Sequence, residues 1–368
     1  MSHRLSRLAL NGKWLGQEMT GTQRYAREMT RHLVPHLPDP PVLHVPAGAM
    51  VPGWLERHVE VRRSRLRGTA FEQLALPWAA RRDLLLSLGG AAPLFARRQV
   101  ATMHDATPFR LPDTYSRTFG IWYRLMYRTV SRRAERILTV SEFSRRELSG
   151  VLGVSAGRFV VVPNGVEHSD ASGAGEGLDV GEDPFALMVG PNAPHKNITP
   201  VARALAGHGI HVVVVGGSGA EGVFRAGAPE SATGDETGSG RIQRVGRVSD
   251  ATITWLYRHA AVLVFPSLYE GFGLPVVEAQ RLGCPVVASN RASLPEITGE
   301  SALLVDPTDP DQVAQRVAEL LADPPRLAEL AIRGSANAAR FRWDTSASRL
   351  AQTLTELRER LPASGPPR

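Results

Sequence analysis

The chain is poor in lysine and in cysteine. Its 368 residues include 43 basic ones, yet only Lys13 and Lys196 are lysines, leaving 41 arginines. Cys284 is the single cysteine, which excludes an intramolecular disulfide and any metal site built from several thiolates. Its setting, Leu282-Gly-Cys284-Pro-Val-Val, reads as a small buried apolar position. No uncharged apolar run approaches the roughly 18 residues of a membrane span. The opening Met1-Ser-His-Arg-Leu-Ser-Arg7 lacks the apolar stretch of a signal peptide, so a cytoplasmic location is expected. Acids are fewer than bases, 36 against 43, for a net charge of +7. Such an excess suits nucleic acid, an anionic membrane surface or phosphorylated substrates, or serves only solubility. No zinc finger, helix-turn-helix or RNA-binding signature is present, so no nucleic-acid partner is expected.

What is present is a globular α/β pattern. Hydrophobic residues make up 43% of the chain. Apolar strand-like runs alternate with helical patterns, as in layers packed around parallel sheets. Strands are expected near residues 7–10, 42–45, 83–87, 100–104, 136–140 and 159–162, then near 185–189, 210–215, 242–245, 261–265, 285–288 and 302–305. The composition turns to Gly, Ser, Ala and acids after His168. This predicts residues 1–168 as one domain, 169–183 as a linker and 184–345 as a second domain. Residues 225–240 read as a mobile surface loop, and 346–361 as an amphipathic helix before a Pro-rich tail. Thr20-Gly21-Thr22-Gln23 resembles a capping box opening a helix.

Five constellations carry chemistry. The first is Phe265-Pro-Ser-Leu-Tyr-Glu270-Gly271-Phe272-Gly273-Leu274-Pro275-Val-Val-Glu278. Pro275 suits the first helical position, and Glu278 is expected in the first turn. The glycines allow a close backbone approach, and the helix end offers N–H groups to an anion. One carboxylate can face a reacting sugar while the other holds a ribose. The second is Val189-Gly190-Pro191-Asn192-Ala-Pro-His195-Lys196, where a lysine after a strand can meet a diphosphate as a point charge. The third, Val213-Val-Val-Gly216-Gly217-Ser-Gly219, lacks the Rossmann spacing, so a dinucleotide cofactor is not expected but close approach to a mononucleotide is. The fourth is Thr102-Met-His104-Asp105, where His104 can bond a sugar hydroxyl or be a structural turn histidine. The fifth is a stripe of Arg124, Arg128, Arg132 and Arg136, interleaved with Trp122, Leu125, Met126 and Val130, beside a basic run from Arg57 to Arg67. It fits either an anionic membrane surface or a core-facing helix with a solvated arginine face.

Together these residues resemble the retaining glycosyltransferases of family 4. The likeness also covers Asn11-Gly-Lys13, Gly21-Thr-Gln-Arg24-Tyr25, Phe71-Glu72-Gln73 to Pro77, Val140-Ser141-Glu142, Val162-Pro-Asn164-Gly165-Val166 and Arg340-Phe341-Arg342-Trp343-Asp344. It implies the GT-B fold, two Rossmann-like domains facing across a cleft, with a C-terminal helix crossing back to the N-terminal, acceptor-binding domain. It implies transfer, with retention, from a nucleotide diphosphate sugar (GDP-mannose, or a UDP or dTDP sugar) to a glycan, lipid-linked or small-molecule acceptor. Glu270, His104 and Lys196 would be catalytic. Gly21, Gly190, Asn192, Gly216, Gly217, Arg247, Gly271, Phe272, Gly273, Leu274 and Glu278 would bind the donor with Lys196. Arg247 would lie near the base. No Asp-x-Asp metal site is evident, so neither a metal nor another cofactor is expected. Many members carry arginine where this chain has Pro191, so either Lys196 acts with helix N-termini alone or another arginine substitutes as second phosphate cation. The competing readings are a nucleotide-sugar hydrolase or epimerase, and a non-catalytic nucleotide-sugar-binding protein.

Overall fold

The computed structural model describes residues 7–167, 178–181, 183–217, 235–237 and 240–360. The chain forms two compact units. One comprises Met1–Ala106, Ile121–Gly165 and Arg342–Arg368, the other Thr107–Gly120 and Val166–Phe341.

The first unit is built on a parallel sheet of seven strands: β1 (Leu8–Asn11), β2 (Val42–Val45), β3 (Glu60–Arg63), β4 (Leu84–Ser87), β5 (Gln99–Thr102), β6 (Arg136–Thr139) and β7 (Phe159–Val161). Their order is β3-β2-β1-β4-β5-β6-β7, a doubly wound sheet that reverses direction between β1 and β4. β1 and β4 are apolar except at their last residues, Asn11 and Ser87, and are buried along their length, as strands covered on both faces must be. The edge strand β3 escapes a pattern search because it reads Glu-Val-Arg-Arg and is mostly exposed. Pairing with β2 forms it. Arg62 and Arg63 of the basic run are thereby strand residues, bonded to Glu60 and to the Ala49 carbonyl.

Helix α1 (Gly21–Leu33) starts where the capping-box pattern places it. The cap differs: the Thr20 hydroxyl meets the Gln23 side chain, not a backbone N–H. The remaining long helices of this part of the chain are α2 (Arg117–Arg133) and α3 (Glu142–Leu152), the latter capped by Ser141 accepting from Ser144 N at 3.0 Å. The last helix, α9 (Trp343–Arg360), belongs to the first unit. Trp343 packs edge-on to Tyr25 at 5.8 Å, and Asp344 meets His36 at 2.9 Å. A Cβ on Gly165 would lie 2.2 Å from Trp343 N, so only glycine fits that approach.

The second unit holds β8 (Phe185–Val189), β9 (His211–Val215), β10 (Asp235–Thr237), β11 (Gly240–Gly246), β12 (Val262–Phe265), β13 (Val286–Ser289) and β14 (Leu303–Val305). Their order is β10-β11-β9-β8-β12-β13-β14, parallel except for β10. Alternate residues of β8 and β9 enter two cores. Ala186, Met188, Val212 and Val214 pack with α4 (Ile198–Gly207) and α7 (Pro310–Leu321). Leu187, Val213 and Val215 pack with α5 (Asp250–His259) and α6 (Leu274–Arg281). A further helix, α8 (Pro324–Ala338), follows α7.

Two expectations are corrected here. Of the surface loop at 225–240, residues 235–237 form β10, whose backbone is satisfied by antiparallel pairing with β11. Residues 178–181 are not a free linker: Val180 is buried with Phe185, and Arg241 and Gln243 donate to the Val180 and Asp179 carbonyls. Residues 168–177, the rest of the loop through 234 with Ser218 and Gly219, and the tail after Arg360 lie outside the described residues.

Candidate active site

The second sheet reverses direction between β8 and β12. Ligands of such sheets bind beyond the carboxyl ends of the strands at that reversal. The two strongest motifs lie there. Beyond β8 the chain makes a 3₁₀ turn, Pro194–Lys196, and passes through Asn197 in the left-handed region (φ 54°) into α4. Asn197 is held by donating to the Pro307 carbonyl at 2.6 Å. Beyond β12 the loop carrying Glu270 enters α6 through Gly273, also left-handed at φ 94°. The left-handed conformation favours glycine there, and a Cβ on Gly273 would lie 2.6 Å from Leu294 Cδ2, so that leucine would also have to shift.

Backbone bonds join these loops into one frame. Leu268 N donates to His195 O at 2.7 Å, Asn192 N to Gly217 O at 3.1 Å and Gly216 N to Gly246 O at 2.8 Å. Gly216 is the tightest point: a Cβ there would lie 1.9 Å from Gly190 O. Within this frame Lys196 Nζ donates to Glu270 Oε1 at 2.5 Å, with Nζ 5.6 Å from the centroid of the Phe265 ring. Both partners keep some solvent exposure, 17% for the lysine side chain and 13% for the glutamate. The Ser293 hydroxyl donates to the Glu270 carbonyl at 3.0 Å and fixes its backbone.

Glu278 departs from expectation. The helix starts at Leu274, so Pro275 is its second residue and Glu278 stands beyond the first turn. Its Oε2 accepts from the hydroxyl of buried Tyr257 at 3.1 Å. Tyr257 aims the carboxylate from α5, 21 residues away in sequence, so no local pattern could reveal it. Phe272 is buried edge-on to Phe341 at 5.4 Å, leaving its backbone rather than its ring for a ligand. Arg247 follows β11 and lies across Gly217, whose Cβ would be 3.6 Å from Arg247 Cγ. A small pocket beside these strand ends is lined by Gly190, Asn192, Ile198, Val214, Gly216 and Arg244. The sequence reading missed Arg244, which sits in β11 among residues of no motif. One Asp-x-Asp does occur, at Asp309-Pro310-Asp311, but Asp309 caps α7 by accepting from Gln312 N at 3.0 Å.

Gly21 and His104 belong to the first unit. Gly21 is the first residue of α1 and has open space where a Cβ would be. His104 packs edge-on to Tyr25 at 4.9 Å. Burial lowers its pKa from 6.5 to about 4, against a smaller opposing effect of its bond to the Leu88 backbone. The ring is therefore neutral near pH 7, and its Nε2, shut away from solvent, has no protein partner among the described residues. A neutral imidazole can bond a hydroxyl but brings no charge.

The first unit has its own buried polar cluster where its sheet reverses. Glu72 is fully buried in a π-helical turn, Phe71–Ala75. It accepts from Lys13 Nζ at 2.7 Å, Asn11 Nδ2 at 3.3 Å and Gln73 Nε2 at 3.3 Å. A second small pocket there is lined by Asn11, Lys13, Trp14, Gln17, Gly89 and Ala91.

Comparison with known proteins places the chain in a family. The model for glycosyl transferases group 1 matches residues 176–338, and that for glycosyltransferase family 4 matches residues 19–170. The O-antigen chain mannosyltransferase B of Escherichia coli is 30% identical over 260 residues, 67% of each chain. The O-antigen chain mannosyltransferase RfbU of Salmonella typhimurium is 26% identical over 215 residues, 58% of each chain. A D-inositol 3-phosphate glycosyltransferase of Thermobispora bispora is 45% identical over 107 residues, 28% of this chain and 25% of the relative. The matched stretches thus span about two thirds of these relatives or less. Among solved structures, Anabaena HepE in complex with UDP and glucose aligns with a TM-score of 0.70 at 19% identity, over 96% of this chain and 100% of that one. Sucrose-phosphate synthase from Thermosynechococcus elongatus gives 0.69 at 18% identity, over 96% and 99%. At this identity the likeness shows the fold, which is GT-B. The chain is a glycosyltransferase and belongs to family 4.

Proposed function

We propose that this enzyme transfers a sugar, with retention, from a nucleoside diphosphate sugar to a hydroxyl of a glycan, lipid-linked or small-molecule acceptor, without a metal ion. The Lys196–Glu270 pair carries this reading: a partly exposed ammonium held among glycines at the reversal of a doubly wound sheet. The bond from C1 of the sugar to the diphosphate oxygen breaks as the acceptor oxygen bonds C1 from the same face. The acceptor proton passes to the departing phosphate. Charge builds on the diphosphate, and Lys196 leaves Glu270 to meet it. Arg244, lining the pocket with Gly190 and Gly216, supplies the second cation that Pro191 cannot. Glu278, aimed by Tyr257, accepts from the ribose hydroxyls. The mannosyltransferase relatives favour mannose as the sugar, and the UDP complex of HepE makes uridine the other nucleoside to test.

The experiment is a binding screen of GDP, UDP and dTDP and their sugars, followed by product analysis with and without acceptor. Retention requires the α anomer of product from an α-linked donor, read by proton NMR. Free sugar released equally with and without acceptor would make the protein a hydrolase instead. An Arg244→Gln variant that bound the diphosphate like the parent would remove that arginine from the clamp.

A further inference from the structure

One face of the first unit is apolar and cationic at once. Leu74, Trp78, Phe95, Ile121 and Leu125 are each more than half exposed. They come from three segments that touch. Gln73 donates to the Ala92 carbonyl and accepts from Leu94 N, and Ala92 N donates to Met126 Sδ of α2. The Arg133 guanidinium lies 5.4 Å from the Phe95 ring centroid. The same order recurs in each segment, exposed apolar residues first and exposed arginine after: Leu74 and Trp78 before Arg81, Phe95 before Arg97, Ile121 and Leu125 before Arg128 and Arg132. On α2 these last four lie at i, i+4, i+7 and i+11, one stripe of a helix. Met126, Tyr127 and Val130 occupy the opposite, buried side. The stripe read from sequence is corrected accordingly, because Arg136 lies in β6 and Arg124 is only partly exposed.

We propose that this face docks on the surface of an anionic phospholipid bilayer. Charge selects the occupant. Across residues 71–82, 92–98 and 121–133 the only acid is Glu72, which is buried and bound to Lys13. A hydrophobic protein partner would not need so many arginines around five apolar side chains, whereas phosphate headgroups above acyl chains match both parts. The Arg81 guanidinium 4.6 Å from the Trp78 ring centroid forms an aromatic and cationic pair suited to the headgroup level. No described helix is long and apolar enough to cross a membrane, so attachment by this face is peripheral. Leu74 follows the buried Glu72–Gln73 cluster by one residue. On the enzymatic reading above, on which only this last step rests, the face would bring a lipid-linked acceptor to the first unit.

Cosedimentation of the full chain with vesicles of phosphatidylcholine alone, and with about a third phosphatidylglycerol, tests the proposal. The mixed vesicles should bind at least about tenfold tighter at low salt. Arg128→Gln and Arg132→Gln should each weaken binding about fivefold. Trp78→Ser with Phe95→Ser should remove the binding that survives high salt, while thermal unfolding and nucleoside diphosphate binding stay at parent values. Equal binding to both vesicles, or parent-like binding by the folded variants, overturns the proposal. So does self-association that the same variants abolish without any vesicle binding, which would give the face to a second copy. Vesicle binding by a protein that binds no nucleoside diphosphate would leave the docking standing and refute the enzymatic reading.

Discussion

Each unit holds one lysine, each lysine is bound to a glutamate, and each pair sits where its sheet reverses direction. The pairs differ in what surrounds them. In the first unit Glu72 has no solvent exposure and accepts from three side chains. A carboxylate so enclosed cannot trade partners, because removing any donor leaves a buried charge unsatisfied. In the second unit Glu270 stands in a glycine-rich loop, and both it and Lys196 still touch water. That lysine can exchange its carboxylate for an incoming phosphate at little desolvation cost. The same residue types thus make an anchor in one unit and a working cation in the other.

Breaking the anchor should have the larger effect. Glu72→Ala leaves Lys13 facing a partner that is gone, and should lower unfolding stability by about 3–5 kcal/mol. Denaturant melts would show it, and nucleoside diphosphate binding by the protein that remains folded should be unchanged. Lys196→Ala should leave the melt close to the parent but lower kcat/KM by roughly 10²–10³, the usual cost of losing one group aimed at developing charge. If the two substitutions exchanged phenotypes, the distinction between anchor and working cation would fail. Tyr257→Phe sharpens the comparison inside the second unit. It removes one hydrogen bond of about 1 kcal/mol and should raise the donor KM several-fold with little change in kcat.

The remaining effect is acid lability of the first unit. His44 and His104 both have pKa values lowered by burial from 6.5 to about 4. Above about pH 6.5 both are neutral, folded or unfolded, and contribute no pH dependence. Between there and about pH 4 the unfolded chain takes up protons that the folded unit refuses, so stability falls with pH. The slope should be up to about 1 kcal/mol per pH unit for each histidine. Melts at about pH 7 and about pH 5 should show His44→Gln flattening it.

The reach of the sequence follows from the same physics. β8, β9 and β12 are legible because strands buried on both faces read as unbroken apolar runs. β3 and β10 are not, because edge strands of charged residues exist only by pairing with a neighbour. The Glu270 and Lys196 motifs are legible because turn chemistry and ligand contact crowd into a few adjacent positions. Their direct pairing, across 74 residues, is not. Glu72 could be marked as part of a motif, but its partners Asn11 and Lys13 lie about 60 residues earlier and form no pattern with it. Arg244 and Tyr257 stay hidden for the same reason. The arginine stripe was half legible: periodicity located a helix face, but only burial showed which side chains leave the core.

The scarcity of lysine also makes this enzyme unusually simple to interrogate by amine chemistry. An acylating reagent meets two side-chain targets in 368 residues, and one of them is capped by a carboxylate without solvent exposure. The other lies where the donor should bind. A ligand arriving there would alter the labelling of the peptide containing Lys196 and leave the peptide containing Lys13 as an internal standard, so a mass spectrum could report occupancy of the site before any acceptor is known.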